Sequence, residues 1–214
     1  MATTSDLYDL IRNQVMGAPP ALMDTAVMYA VNKFTRKSYW LRRTVFVDLK
    51  AGIKNYPLIS PIPGEQVLSA IDGQYKDWPI SPSRPELMPM RAYKPLPDAT
   101  QNNIVTFLNK LPSTIEVHDW PVVDETGTLS LNCAVAVMRN APAFDDAITL
   151  HYGEEIADGA LSWLYAQPKR PWSNRQSSMQ SAAIFNAAIG RAKGQASVGL
   201  QPRDVRVVPR GFAI

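Results

Sequence analysis

The chain has 214 residues, 46% of them hydrophobic and 19% charged, with a formal net charge of +3. That balance excludes a wholly disordered polypeptide, and the length supplies a core without staples. The single cysteine, Cys133, excludes an internal disulfide. No apolar run approaches the roughly 20 residues of a membrane helix, so no membrane partner is expected.

The opening Met1-Ala2-Thr3-Thr4-Ser5-Asp6 lacks a basic stretch followed by an apolar one. No signal peptide is therefore expected, and the protein is expected to be made and folded in a cytoplasm. Thr4 or Ser5 should cap a short helix reaching about Val15, ended by Gly17 and Pro19-Pro20. Pro20 suits the first position of a second helix. There Met23, Ala26, Val27, Ala30 and Phe34 recur at steps of three and four, which marks a buried face. Lys33, Arg36 and Lys37 lie near its C-terminus, where positive charge suits the helix dipole.

The pattern then changes to short β-branched stretches. Prolines outnumber glycines, 18 to 11, and many fall in residues 57–121. That density breaks helices and confines strands to short pieces joined by ordered loops. Strands are expected at residues 44–49, 67–71, 104–108, 114–118 and 128–138. Asp72-Gly73 reads as a hairpin turn, and Asn109-Lys110-Leu111-Pro112 as a second one.

Helix is expected again from about Asp145 to Gln167, with Ile148, Tyr152, Ile156, Ala160 and Leu164 on one stripe. Pro168-Lys169-Arg170-Pro171-Trp172-Ser173-Asn174 reads as a bracketed turn. Ser173 or Asn174 then caps a last helix, in which Ala182, Phe185, Ile189, Ala192 and Ala196 form a narrow seam. Residues 198–214 lose this pattern and read as an arm, with Arg203, Arg206, Arg210 and an apolar end at Phe212 and Ile214.

The expected class is α+β: a helical bundle formed by N- and C-terminal helices, an inserted antiparallel β-sandwich or barrel-like unit, and a C-terminal arm. The expected divisions are 1–42 for the N-terminal helices, 43–141 for the β unit, 142–197 for the C-terminal helical hairpin and 198–214 for the arm. Ala26, Ala30, Phe34, Ile156, Ala160, Leu164, Ala182 and Ile189 are expected to be buried in the bundle.

The chain shows little that carries chemistry. No serine sits in a Gly-x-Ser-x-Gly elbow, and no glycine-rich phosphate loop occurs. His151-Tyr152-Gly153-Glu154-Glu155 lacks the second histidine of an inverted zincin motif. The other histidine, His118, is expected at a strand end on the surface, and Cys133 in inert packing. No catalytic residue, cofactor or metal is expected, and the chain is not expected to be an enzyme. Trp40 beside Arg42-Arg43 and Trp172 beside Lys169-Arg170 suit base stacking. Packing is the stronger expectation for both, since Trp172 precedes a helix cap, where a hydrophobic staple sits.

One stretch, residues 156–196, is more specific. It contains Asp158-Gly159-Ala160-Leu161-Ser162-Trp163-Leu164, then the Pro-Trp-Ser-Asn turn, then the Ala-rich helix. This resembles the C-terminal part of head-to-tail adaptor (connector) proteins of tailed bacteriophages. Phe34-Thr35-Arg36-Lys37-Ser38-Tyr39-Trp40 and Tyr56-Pro57-Leu58 are similar to stretches of the same family. The resemblance implies a structural subunit of the phage neck, located in the virion and in the host cytoplasm during assembly. It implies a homo-oligomeric ring, commonly twelve-fold, that joins the portal protein to a tail or nozzle protein. It also implies a DNA exit channel whose contact with genomic DNA is generic and electrostatic. Arg203, Arg206, Arg210, Phe212 and Ile214 are then the expected partner-binding residues. The large β unit departs from the nearly all-helical minimal adaptors. A small nucleic-acid- or carbohydrate-binding module, with a β domain on a helical stem, stays open beside this reading.

Overall fold

The computed structural model describes residues 1–83, 104, 106–110, 113–117 and 121–198, with nothing described of the Val198 side chain. Within them the chain is mixed α+β, with four α-helices and a nearly closed seven-stranded sheet.

The N-terminus starts with a 3-10 turn, Thr4–Leu7, that runs into α1, Tyr8–Arg12. The capping residue is Thr3, one before the expected pair. Its backbone N–H donates to the Asp6 carboxylate at 2.7 Å. A two-bond bridge between Ala2 and Phe144 pins this segment to the loop before residue 146. Helix α2, Pro20–Ser38, begins on the proline as expected, and Met23, Ala26, Val27, Ala30 and Phe34 are all buried. It ends on Tyr39, which adopts left-handed angles (φ 54°) without being glycine.

The strands are β1 (Arg42–Leu49), β2 (Asn55–Pro57), β3 (Glu65–Tyr75), β4 (Trp78–Pro82), β5 (Thr106–Lys110), β6 (Thr114–Val117) and β7 (Glu125–Val137). Their order across the sheet is β1-β7-β3-β4-β5-β6-β2. The two ends, β1 and β2, are joined by residues 50–54 alone, so the sheet curls almost into a barrel. The Tyr56 hydroxyl fixes that corner, donating to the Ile53 carbonyl at 2.7 Å and accepting the Lys50 N–H at 3.1 Å. This is one continuous sheet in place of a two-layer sandwich, and its pairing is not wholly antiparallel. β4 and β5 run parallel, Ser81 opposite Thr106.

The Asp72-Gly73 turn is also corrected. Both residues lie inside β3, and the chain reverses after Tyr75, at Lys76-Asp77, with Lys76 at φ 52°. Gly73 is there for space: a Cβ would stand 2.6 Å from the Leu131 side chain and 2.7 Å from the Ser130 carbonyl of β7.

β7 is the longest strand and lies between β1 and β3, with Leu129, Leu131 and residues 133–137 all buried. Its end is fastened to α2 by side chains. Asn32 Nδ2 donates to the Val137 carbonyl at 2.6 Å, and Thr35 Oγ1 accepts the Val137 N–H at 3.2 Å. Backbone groups that would otherwise be buried without partners are thereby satisfied, which joins sheet and helices in one hydrophobic core.

After β7 come α3, Asp146–Tyr165, and α4, Arg175–Val198. Asp145 caps α3 by accepting the Ala147 N–H at 2.9 Å. α3 lies against both α2 and α4, and α2 also touches α4. An aromatic cluster ties them: the Tyr152 ring stands 4.7 Å from Phe34 and 5.3 Å, edge-on, from Trp40, and its hydroxyl donates to Gln195 Oε1 at 2.6 Å. Tyr152 departs from helical angles (φ −139°) at that point, which leaves a kink in α3.

Candidate functional site

The hairpin of α3 and α4 is built by small residues and a bracketed turn. Gly159 lets the helices close, since a Cβ there would lie 2.9 Å from the Phe185 ring and 3.0 Å from Ala30 Cβ. In the turn, Lys169 takes left-handed angles (φ 58°). The Asn174 N–H reaches back to the Tyr165 carbonyl at 3.1 Å, and Asn174 Oδ1 caps α4 by accepting the Ser177 N–H at 3.1 Å. Ser178 Oγ bonds the Ser162 carbonyl at 2.8 Å across the pair. Trp172 is half-buried against the core, with its indole N–H buried and unpartnered, so packing rather than hydrogen bonding seats it.

Only one side of α4 is used in this packing. Ser181, Phe185, Ala188, Ile189 and Ala192 are buried. Ala182 and Ala196, expected in the seam, are only half-buried. The opposite side carries Met179, Ala183, Ala187, Gly190 and Gly194, all exposed and uncharged, with Ile184 beside them. Met179 is 66% exposed and Ile184 49%, and nothing lies within 4 Å of where a Cβ would stand on Gly190 or Gly194. A solvated helix face ordinarily carries charge. This one is smooth, apolar and long.

A second feature supports α3 at its N-terminus. Arg43 of β1 holds Glu65 of β3 through two bonds, Nε to Oε2 at 3.0 Å and Nη2 to Oε1 at 2.7 Å. Its Nη2 also reaches Asp145 at 2.7 Å. The Glu65 side chain is 4% exposed and that of Arg43 16%. Burial pushes the Asp145 carboxyl up, but the Ala147 N–H and the Arg43 guanidinium outweigh it and hold the group below its ordinary value. Asp158, in the α3–α4 interface, goes the other way. Burial raises it, a bond from Ser181 opposes the rise, and Glu155 and Glu154 add to it.

The expected partner residues Arg203, Arg206, Arg210, Phe212 and Ile214 lie outside the described residues, as do His118 and the whole arm beyond Val198. Cys133 is buried, and burial pushes its thiol up to about 12, so it stays a neutral packing group. His151 stacks edge-on to Trp40 at 5.8 Å. Among the described residues no three His, Cys, Asp or Glu side chains gather as a metal site, and no helix is long and apolar enough to cross a membrane. The smooth side of α4 was not legible in the sequence, because the buried stripe drew the reading and the residues opposite it are small. The Arg43 triangle joins residues far apart in the chain, so no local spacing announces it. No protein-family model and no curated protein matches the chain.

Proposed function

We propose that the chain is a structural subunit of a phage neck, a ring that joins the portal of the DNA-filled capsid to the tail and lines the DNA exit channel. The observation that carries this reading is the side of α4 that no described residue covers. It suits close helix packing between ring neighbours, because small residues at Ala183, Ala187, Gly190 and Gly194 let another backbone approach. In this reading the bundle of terminal helices forms the ring wall, commonly twelve-fold. The nearly closed sheet faces the tail or nozzle protein, with Phe46 and Trp78 exposed on its strands and Ile59 exposed in the loop after β2. The arm docks on the portal: Arg203, Arg206 and Arg210 guide the encounter, and Phe212 and Ile214 supply burial.

Two variants test this. Ala187→Lys should leave the thermal midpoint close to wild type and abolish ring formation on the portal. Deleting residues 203–214 should do the same to stable joining with the capsid. Complete infectious particles from either variant would contradict the reading. The alternative, a small binding module, takes the exposed Trp78 and Phe46 as its ligand platform. It predicts a protein that stays monomeric on the portal and loses ligand affinity with Trp78→Ala.

A further inference from the structure

The outer ridge of α2 carries positive charge that the described structure does not neutralise. Tyr29, Lys33 and Arg36 recur at steps of four and three and so share one side of the helix, with Lys37 on its flank. Asp24 is the one carboxylate of α2, and it lies a turn before Tyr29, accepting from the Tyr8 hydroxyl at 2.6 Å. Arg139, from the turn after β7, places its guanidinium 5.2 Å from the Tyr29 ring centre, and Lys33 Nζ lies 6.0 Å from the same ring and 5.3 Å from that of Phe185. Past Lys37 the ridge runs into a cleft of about 330 Å³ lined by Arg42, Lys193 and Asp72. Among the described residues no carboxylate comes within ion-pair distance of Lys33, Arg36, Lys37, Arg139 or Lys193.

We infer that this ridge is the surface on which the chain holds the phosphate backbone of duplex DNA, without reading sequence. The inference rests on the neck reading for why DNA is near, and on the ridge itself for where it touches. From Tyr29 to Lys37 the helix rises roughly 12 Å, long enough to follow several phosphates of one strand. A protein partner fits less well. Protein interfaces are depleted of lysine at their centres and are built on buried aromatic or arginine anchors. Here the rings of Tyr29 and Phe185 are already covered by cations of the same chain, which leaves charge and no apolar centre. Burial and the neighbouring Lys37 both lower the Lys33 pKa, the sign of a cation that lacks a counter-charge.

The test uses the full chain and a fluorescent random-sequence duplex, with anisotropy read over a range of salt. The ridge variant combines Lys33→Gln, Arg36→Gln, Lys37→Gln and Arg139→Gln. A control of equal net charge combines Lys50→Gln, Lys169→Gln, Arg170→Gln and Arg175→Gln, all exposed and away from the ridge. The ridge variant should lose about tenfold or more in affinity at low salt, and its log–log salt slope should shrink by about 0.9 for each phosphate contact removed. The control should keep most of both. Equal loss in the two, or none in the ridge variant, overturns the inference, as does displacement of the duplex by polyglutamate at equal charge. If the quadruple variant melts early, Lys37→Gln with Arg139→Gln, both exposed, gives the same test with about half the change in slope. Ring formation on the portal is scored separately. Rings with an unchanged salt slope sink the ridge alone, and a lost slope without rings sinks the neck reading alone.

Discussion

α3 and α4 are neighbours of similar length, 20 and 24 residues, used in opposite ways. α3 is enclosed: it touches α2 on one side and α4 on the other, and it buries Ile148, Tyr152, Ile156, Ala157, Gly159, Ala160, Leu161 and Leu164. α4 buries one seam, and among the described residues its other side is bare, smooth and uncharged. Within the first helix Leu150, 80% exposed, is the large apolar residue the single chain leaves uncovered, against a continuous buried stripe. In the second, Met179, Ala183, Ile184, Ala187, Gly190 and Gly194 have no use within the described chain. A helix with two glycines on its outer side is also a poor helix by itself. In the neck reading a ring neighbour covers that outer side.

The largest effect should come from the seam that joins the two helices. Phe185→Ala empties a site 1% exposed and should cost about 3–5 kcal/mol in a denaturant titration. Ile184→Ala, one residue away on the open side, should change stability by less than about 0.5 kcal/mol. Similar losses in the two would erase the difference between seam and face.

Next comes the triangle that fixes the start of α3. Arg43→Ala leaves Glu65 buried without its cation and should cost about 3 kcal/mol. Arg43→Met with Glu65→Leu should recover most of that loss, since the penalty lies in the unpaired charge. A double variant as unstable as the single one would show that packing at Arg43 matters instead.

A smaller and opposite effect is expected on α4. Gly190→Ala and Gly194→Ala meet open space and should each stabilise the isolated chain by about 0.5–1 kcal/mol. If another helix packs there, the same changes should weaken the ring. Stabilisation with unchanged assembly would place the ring contact elsewhere.

The smallest effects concern pH. Asp158 is raised in the folded chain, so between its ordinary and its raised pKa the native state binds more protons than the unfolded one. Stability from this group therefore falls as pH rises through that window and stays reduced above it. Asp158→Asn should flatten this decline and gain under about 1 kcal/mol at neutral pH. Asp145 is held low, so its contribution is present above the ordinary carboxylate value and is lost as pH falls through the folded one. Thermal midpoints of the two Asn variants across pH 3–8 should diverge in opposite directions.

The helices were legible in the sequence because their signals are local. Pro20 opens α2 through its fixed φ, while Asp145 caps α3 and Asn174 caps α4 through bonds within their own turns. The seam of α4 was legible at Phe185, Ile189 and Ala192, but Ser181 takes the place expected for Ala182, a rotation of one residue. The sheet was legible strand by strand and not as a whole. Asp72-Gly73 has the composition of a tight turn, yet Gly73 answers a cross-strand need set by Leu131 and Ser130. The parallel pairing of β4 with β5 leaves no local pattern. The same holds for the candidate sites: Lys33, Arg36 and Lys37 read as dipole complement and solvated surface, and only the placement of Arg139 beside Tyr29 makes them part of a larger patch.

The most direct test is an electron micrograph of the purified chain mixed with the portal protein of its own phage, with the mass of the complex measured alongside. A closed ring of density on the portal, heavier than the portal by a whole-number multiple of 23.7 kDa, is the expected result. A portal left bare, or a chain that joins it singly with no neighbour across α4, would contradict the neck reading.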